Sequence, residues 1–220
     1  MGPSTGGPSK PAKYACAFIA GLALACVAAV LSRQAQGLPA PTHRLLMAAS
    51  TGFVLVGLIG GALRSTYGRL MLAGLLLCWL GDYLGPDHFL ASLIAAFTTR
   101  GLSRGRFLIT SGAFVLFDIV IGIWLFPHVE NAMLLPVLVY MLLITLMAGA
   151  AGAIQSGRGR SMLLIAGAIF YVSDIFVARW HFVVDDAANA YYCYPLYYAA
   201  CLMLAFSILL YRPDDLVEPE

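Results

Sequence analysis

The chain has 220 residues, 61% of them hydrophobic and only 11% charged. A soluble domain carries about 25% charged residues, so the composition excludes an ordinary soluble enzyme. A formal net charge of +2 gives no reason to expect a nucleic-acid partner; long uncharged runs recurring from end to end point instead to a polytopic membrane protein.

In chain order, residues 1–13 are rich in Gly, Pro and Ser and are expected to be a disordered tail. Residues 14–212 read as a single transmembrane helical domain, and residues 213–220 as an acidic tail. Lys10 and Lys13 precede the first apolar run like the charged region of a signal peptide, but no small-x-small cleavage site follows, so the run is expected to be a retained helix. Eight apolar segments can be marked: 14–31, 43–63, 70–84, 89–99, 107–126, 132–154, 162–180 and 194–211. The fourth has 11 residues, against the ~20 a spanning helix needs. Short connections favour antiparallel neighbours in a compact bundle. The five cysteines (Cys16, Cys26, Cys78, Cys193, Cys201) lie in or beside apolar runs without CxxC spacing and read as small packing residues.

Basic residues set the expected orientation. With eight spans, Lys10, Lys13, Arg64, Arg69, Arg100, Arg104, Arg106, Arg158, Arg160 and Arg212 collect on one face; Arg33, Arg44 and Arg179 fall on the other. That asymmetry places both termini in the cytoplasm. The short loops point to a bacterial inner membrane. His43, His88, His128 and His181 all fall on the outer side, with Trp124, Trp180 and Tyr191, Tyr192 and Tyr194 as interfacial anchors.

Two stretches stand out, Leu-Gly-Asp ending at Asp82 and Val-Ser-Asp ending at Asp174. A carboxylate costs ~2.5–3.5 kcal/mol at the centre of a spanning helix, so each is a functional candidate. Asp82 lies 13 residues after Arg69, Asp118 lies 12 after Arg106, and Asp174 lies 14 after Arg160. At 1.5 Å per residue all three stand ~18–21 Å above the basic ring, in one layer of the outer half-membrane. The plain alternative is that each accepts hydrogen bonds from neighbouring helices and pins the packing. Three at one depth favour function. Two carboxyls brought together share a proton, giving an acid and a base side by side, the apparatus that cleaves acetals and glycosides. One helical turn below Asp174, Tyr171 is placed to hydrogen-bond it. No lysine lies in the bundle, which excludes a retinal protein. A proton-coupled transporter, or a metal-dependent lipid hydrolase using the outer histidines, remains open, although no HExxH or HxxxH spacing is present.

The stretches LLLCWLGD (75–82) leading to Phe89, MLLPVLVYMLLITLMA (133–148), GAIFYVSD (167–174) and YYAA (197–200) come in an order and spacing that resembles the YhhN-type lysoplasmalogenase family of eight-span membrane proteins. The resemblance covers about half the chain. It implies hydrolysis of the vinyl-ether bond of lysoplasmalogens, releasing a fatty aldehyde and a glycerophospho-choline or -ethanolamine. It implies Asp82 and Asp174 as the catalytic pair, with no metal or cofactor, and a lysophospholipid entering from the bilayer. Tyr171, Tyr197 and Tyr198 are candidate supporting donors. Asp118 is not part of the family pattern; it is either a replacement polar group of the site or a residue that only pins the fifth helix. The family's Ala-His-Leu-type motif in the fourth segment is not matched: Arg100 stands at the histidine position and Ser103 at a later tyrosine position. Arg100 is therefore a candidate for altered substrate contact.

Overall fold

The computed structural model describes residues 9–38, 42–84, 103–153 and 159–210. Seven helices run through them: α1 (Lys10–Ala35), α2 (Thr42–Ile59), α3 (Thr66–Leu84), α4 (Arg104–Leu125), α5 (Asn131–Ala153), α6 (Arg160–Ala178) and α7 (Ala188–Leu210). Six are long and apolar enough to cross a membrane; α3 falls outside that set. It carries both Arg69 and Asp82 in 19 residues, which dilutes an otherwise leucine-rich run. The expected count of eight is thus seven among the described residues. The fourth segment, 89–99, lies outside them, as do the terminal stretches 1–8 and 211–220.

Helix ends differ from the apolar runs for local reasons. The first helix begins at Lys10 because Pro11 is tolerated in a first turn, where its missing N–H has no partner to lose. It stops at Ala35, where Gly37 takes a positive φ of 65° that closes the last turn. Ser103 caps α4, its hydroxyl accepting from the Arg106 N–H, and its own N–H reaches Ala153 O at 2.9 Å at the far end of α5.

α7 is the central helix, packed against α1, α2, α3 and α6. Its small residues Ala200, Cys201 and Ala205 are completely buried, and around them sit Phe53, Phe170 and Tyr198. On the other side α5 lies between α4 and α6. α4 is mostly exposed, with Ile109, Phe117 and Ile123 on its surface, as a lipid-facing helix requires. Side-chain pairs fix the directions. Tyr67 near the start of α3 meets Ser207 near the end of α7 at 2.6 Å, and Asp82 near the end of α3 meets Tyr197, so the two are antiparallel. Phe176 stacks on Tyr192 and Phe170 tilts against Tyr197, so α6 and α7 are antiparallel as well. α4 is antiparallel to α5, with Ser111 against Gly149 and Asp118 against Thr145, and α5 is antiparallel to α6, with Ala151 against Gly167 and Tyr140 against Asp174, so α3, α4 and α6 run the same way. The end of α3 and the start of α4 stand at opposite ends of the bundle, with the expected fourth segment in the chain between them.

Close packing of α4 on α5 depends on small residues. A Cβ built on Gly149 would overlap Ser111 Oγ and stand 3.3 Å from Ser111 Cα. Gly149→Val should therefore force these helices apart. Overpacking of this kind costs about 1–3 kcal/mol, and a lowered thermal midpoint of the purified protein in detergent would register it.

Candidate functional site

The expected layer of aspartates is resolved into two clusters with α7 and α6 between them. The first surrounds Asp82. Ser50 of α2 donates to Asp82 Oδ2, and the Tyr197 hydroxyl donates to the same oxygen at 3.2 Å. Tyr198 OH stands 3.1 Å from Ser50 Oγ and 3.1 Å from the Leu46 carbonyl. Consecutive tyrosines on a helix diverge by ~100°, so Tyr197 reaches the carboxylate directly while Tyr198 reaches it through Ser50. Asp82 is half-buried and well supplied with donors.

The second cluster lines a cavity of about 420 Å³ bounded by α4, α5, α6 and the turn after α6. That volume falls in the range of about 300–1,000 Å³ typical of small-molecule sites. Its wall is mainly Ile, Leu, Met and Val, with polar groups from Asp118, Tyr140, Tyr171 and Asp174. Asp118 is hydrogen-bonded at both oxygens: Thr145 donates to Oδ2, and Tyr171 OH donates to Oδ1 at 2.7 Å. Asp174 is the opposite case. It is 5% exposed, and neither carboxyl oxygen has a hydrogen-bond partner among the described residues. The Tyr140 phenol interacts with it electrostatically, without a well-aligned hydrogen bond.

Tyr171 therefore does not serve Asp174, as its position one turn below had indicated. Helical side chains lean towards the N-terminus, so Tyr171 covers the turn below its own Cα and reaches across to α4. Its ring lies 4.8 Å from that of Phe114, which holds the hydroxyl on Asp118. The residues that sequence reasoning passed over are Ser50, Thr145 and Tyr140. The last two were visible as polar side chains inside the long apolar run of α5, which has no other polar side chain between Pro136 and Ala153.

Asp82 and Asp174 make no direct contact. Both interact electrostatically with Cys193, buried on α7, which stands between the two clusters. The five cysteines are all free thiols, four of them buried.

The mouth of the cavity is shaped by a wide turn, Arg179–Val183, that continues α6. Val184 N–H bonds to Arg179 O at 2.9 Å, one residue further than α-helical spacing. Such π-turns re-aim side chains, here bringing His181 and Phe182 to the cavity wall. Arg179 is tied to the Asn189 side chain, which donates to Val184 O at 3.0 Å and Asp186 O at 2.9 Å, so this corner is braced. Among the described histidines, His43 faces Tyr83, His128 pairs with the Trp124 carbonyl, and His181 packs on Phe182. No group of three His, Cys, Asp or Glu side chains converges among the described residues. Ser103 caps α4 as noted, and Arg100 and His88 lie outside the described residues.

A helical bundle with lipid-facing apolar surfaces and a cavity walled by a buried carboxyl, which makes no well-aligned hydrogen bond among the described residues, defines a polytopic membrane protein with an internal polar site. The YhhN family model matches residues 39–208, from before α2 almost to the end of α7. The chain belongs to the YhhN family. The comparison with curated proteins and that with solved structures found no match.

Proposed function

We propose that this protein is a lysoplasmalogenase-like hydrolase that cleaves the vinyl-ether bond of a lysophospholipid to a fatty aldehyde and a glycerophospho-alcohol. The observation that carries the reading is Asp174: a buried carboxyl without a donor, on the wall of an apolar cavity. A carboxyl there is unsatisfied as an acceptor but has a proton of its own to give. A vinyl ether is cleaved by protonating the vinyl carbon remote from oxygen. The double-bond electrons form the new C–H bond, and the ether oxygen's lone pair makes an oxocarbenium ion. Water captures that ion, and the hemiacetal collapses to aldehyde and alcohol.

Asp174 is the proton donor in this reading. Asp82, which the family resemblance names with it, is the charge that stabilises the cation from the α3–α7 side. A carboxylate fixed by Ser50 and Tyr197 is preorganised for that task, because it does not reorient as charge develops. The apolar cavity suits the alkenyl chain. Its wall at His181 adjoins the polar corner, where a head group would remain in the interface.

The test is aldehyde release from lysoplasmenyl-ethanolamine and -choline by the purified protein in detergent, followed with a coupled dehydrogenase. Aldehyde from the wild type, lost in both Asp82→Asn and Asp174→Asn while each still elutes as a folded monodisperse species, is the expected result. Release should persist in EDTA. Chelator-sensitive release would transfer the chemistry to the outer histidines, and substrate movement across proteoliposomes without cleavage would make the protein a transporter.

A further inference from the structure

We propose that Asp118 is the general base that activates the capturing water, an inference resting on the hydrolase reading above. The resemblance supplies two aspartates, but the structure brings a different pair into one cavity: Asp118 of α4 and Asp174 of α6. Tyr171, one turn below Asp174 on α6, donates to Asp118 Oδ1 at 2.7 Å. Their hydrogen-bonding states are complementary. Neither oxygen of Asp174 has a well-aligned donor among the described residues, whereas Asp118 receives a hydrogen bond at each oxygen, from Thr145 and Tyr171, which holds it as an oriented acceptor. A carboxylate has about four lone-pair sites, so two remain for water. Asp118 is half-buried on the cavity wall, where a water can reach it.

The proton cycle then closes within the cavity. Asp174 gives its proton to the remote vinyl carbon. As water oxygen bonds to the carbon beside the ether oxygen, Asp118 takes one of its protons, leaving a neutral hemiacetal. The hemiacetal hydroxyl returns a proton to Asp174 as its oxygen becomes the aldehyde carbonyl. The C–O bond to glycerol breaks, and protonated Asp118 gives its proton to the departing oxygen. One water is consumed, and both residues return to their starting states. Asp82 contributes charge and exchanges no proton.

Acid and base are separable by isotope. When capture is slow, the oxocarbenium ion turns about its new C–C single bond and gives Asp174 the original vinyl hydrogen in place of the deuteron, so in D₂O the recovered substrate is labelled. Asp118→Asn should lower aldehyde release by about 100-fold or more. Lysoplasmalogen recovered from that reaction should carry deuterium at the remote vinyl carbon, read by mass spectrometry. Wild type should return unlabelled substrate, and Asp174→Asn should show neither release nor label. Tyr171→Phe, which removes one donor but keeps the carboxylate, should slow release about tenfold with the same labelling; it decides the matter if Asp118→Asn does not fold. Undiminished release in these variants overturns the proposal, and so does lost release without label, since a merely structural role predicts that. No aldehyde from the wild type would sink the hydrolase reading itself. Wild-type activity that needs Asp174 but not Asp118 would sink only this assignment.

Discussion

Asp174→Leu should make the protein more stable and inactive. Leaving a buried polar group without a partner costs about 1–3 kcal/mol, and both oxygens of this carboxyl are in that condition among the described residues. Leucine removes the penalty and gains apolar burial, and the adjoining 420 Å³ cavity has room for its extra volume. A stability increase of at least ~1 kcal/mol is expected in SDS unfolding from mixed micelles. Asp174→Asn should be near neutral in stability, because an amide is as unsatisfied there as the acid. Both variants should lose aldehyde release by about 10²–10⁴-fold, the usual contribution of a positioned proton donor. The divergence between stability and activity is the informative result. A carboxylate that only pinned the packing would give the reverse, a leucine variant that unfolds more easily. Residues that weaken a fold while serving its chemistry are expected at functional sites.

The common level of the aspartates along the bundle was legible from their spacing to the arginines, because rise per residue is fixed in a helix. The structure carries that layer sideways through contacts: Asp82 to Tyr197, Tyr197 to Phe170 at 5.6 Å, and the adjacent Tyr171 to Asp118. Rotation was not legible. α5 is apolar around its whole circumference, so nothing in its pattern says that Tyr140 faces the cavity or that Thr145 meets Asp118. The same ambiguity left open whether Asp82 and Asp174, which the resemblance names as a pair, share one cluster. Only the packing of α7 between α3 and α6 separates them and sets Cys193 in the gap. Ser50 escaped notice because a lone serine in a spanning helix commonly bonds its own backbone, and Ser50 does lie 2.9 Å from Leu46 O.

Ser50 is nevertheless the node on which the Asp82 cluster depends, and Ser50→Ala should show it. The residue is completely buried, and its hydroxyl contacts Asp82, Tyr198 and Leu46 O. It has one hydrogen to donate. With that hydrogen on Asp82, Tyr198 is free to donate to Leu46 O, and every polar group in the cluster is satisfied. Alanine removes the Ser50 donor and leaves Asp82 to the tyrosine pair, Tyr197 directly and Tyr198 beside it. Hydrogen bonds between neutral groups in membrane bundles average ~0.6 kcal/mol, and those to charged groups in proteins about 1.5–3, so a loss of about 1–2 kcal/mol is expected. In an Asp82→Leu background the same change should cost less than half as much, because the carboxylate it served is gone. That coupling, measured as a double-mutant cycle in SDS unfolding, separates a donor to Asp82 from a serine that merely fills space. Aldehyde release by Ser50→Ala should fall about tenfold, with the Asp82 carboxylate still present but free to turn. Additive stabilities would mean that Ser50 only fills space, and an activity loss as deep as that of Asp82→Asn would mean that it acts on the substrate by some route other than holding this carboxylate.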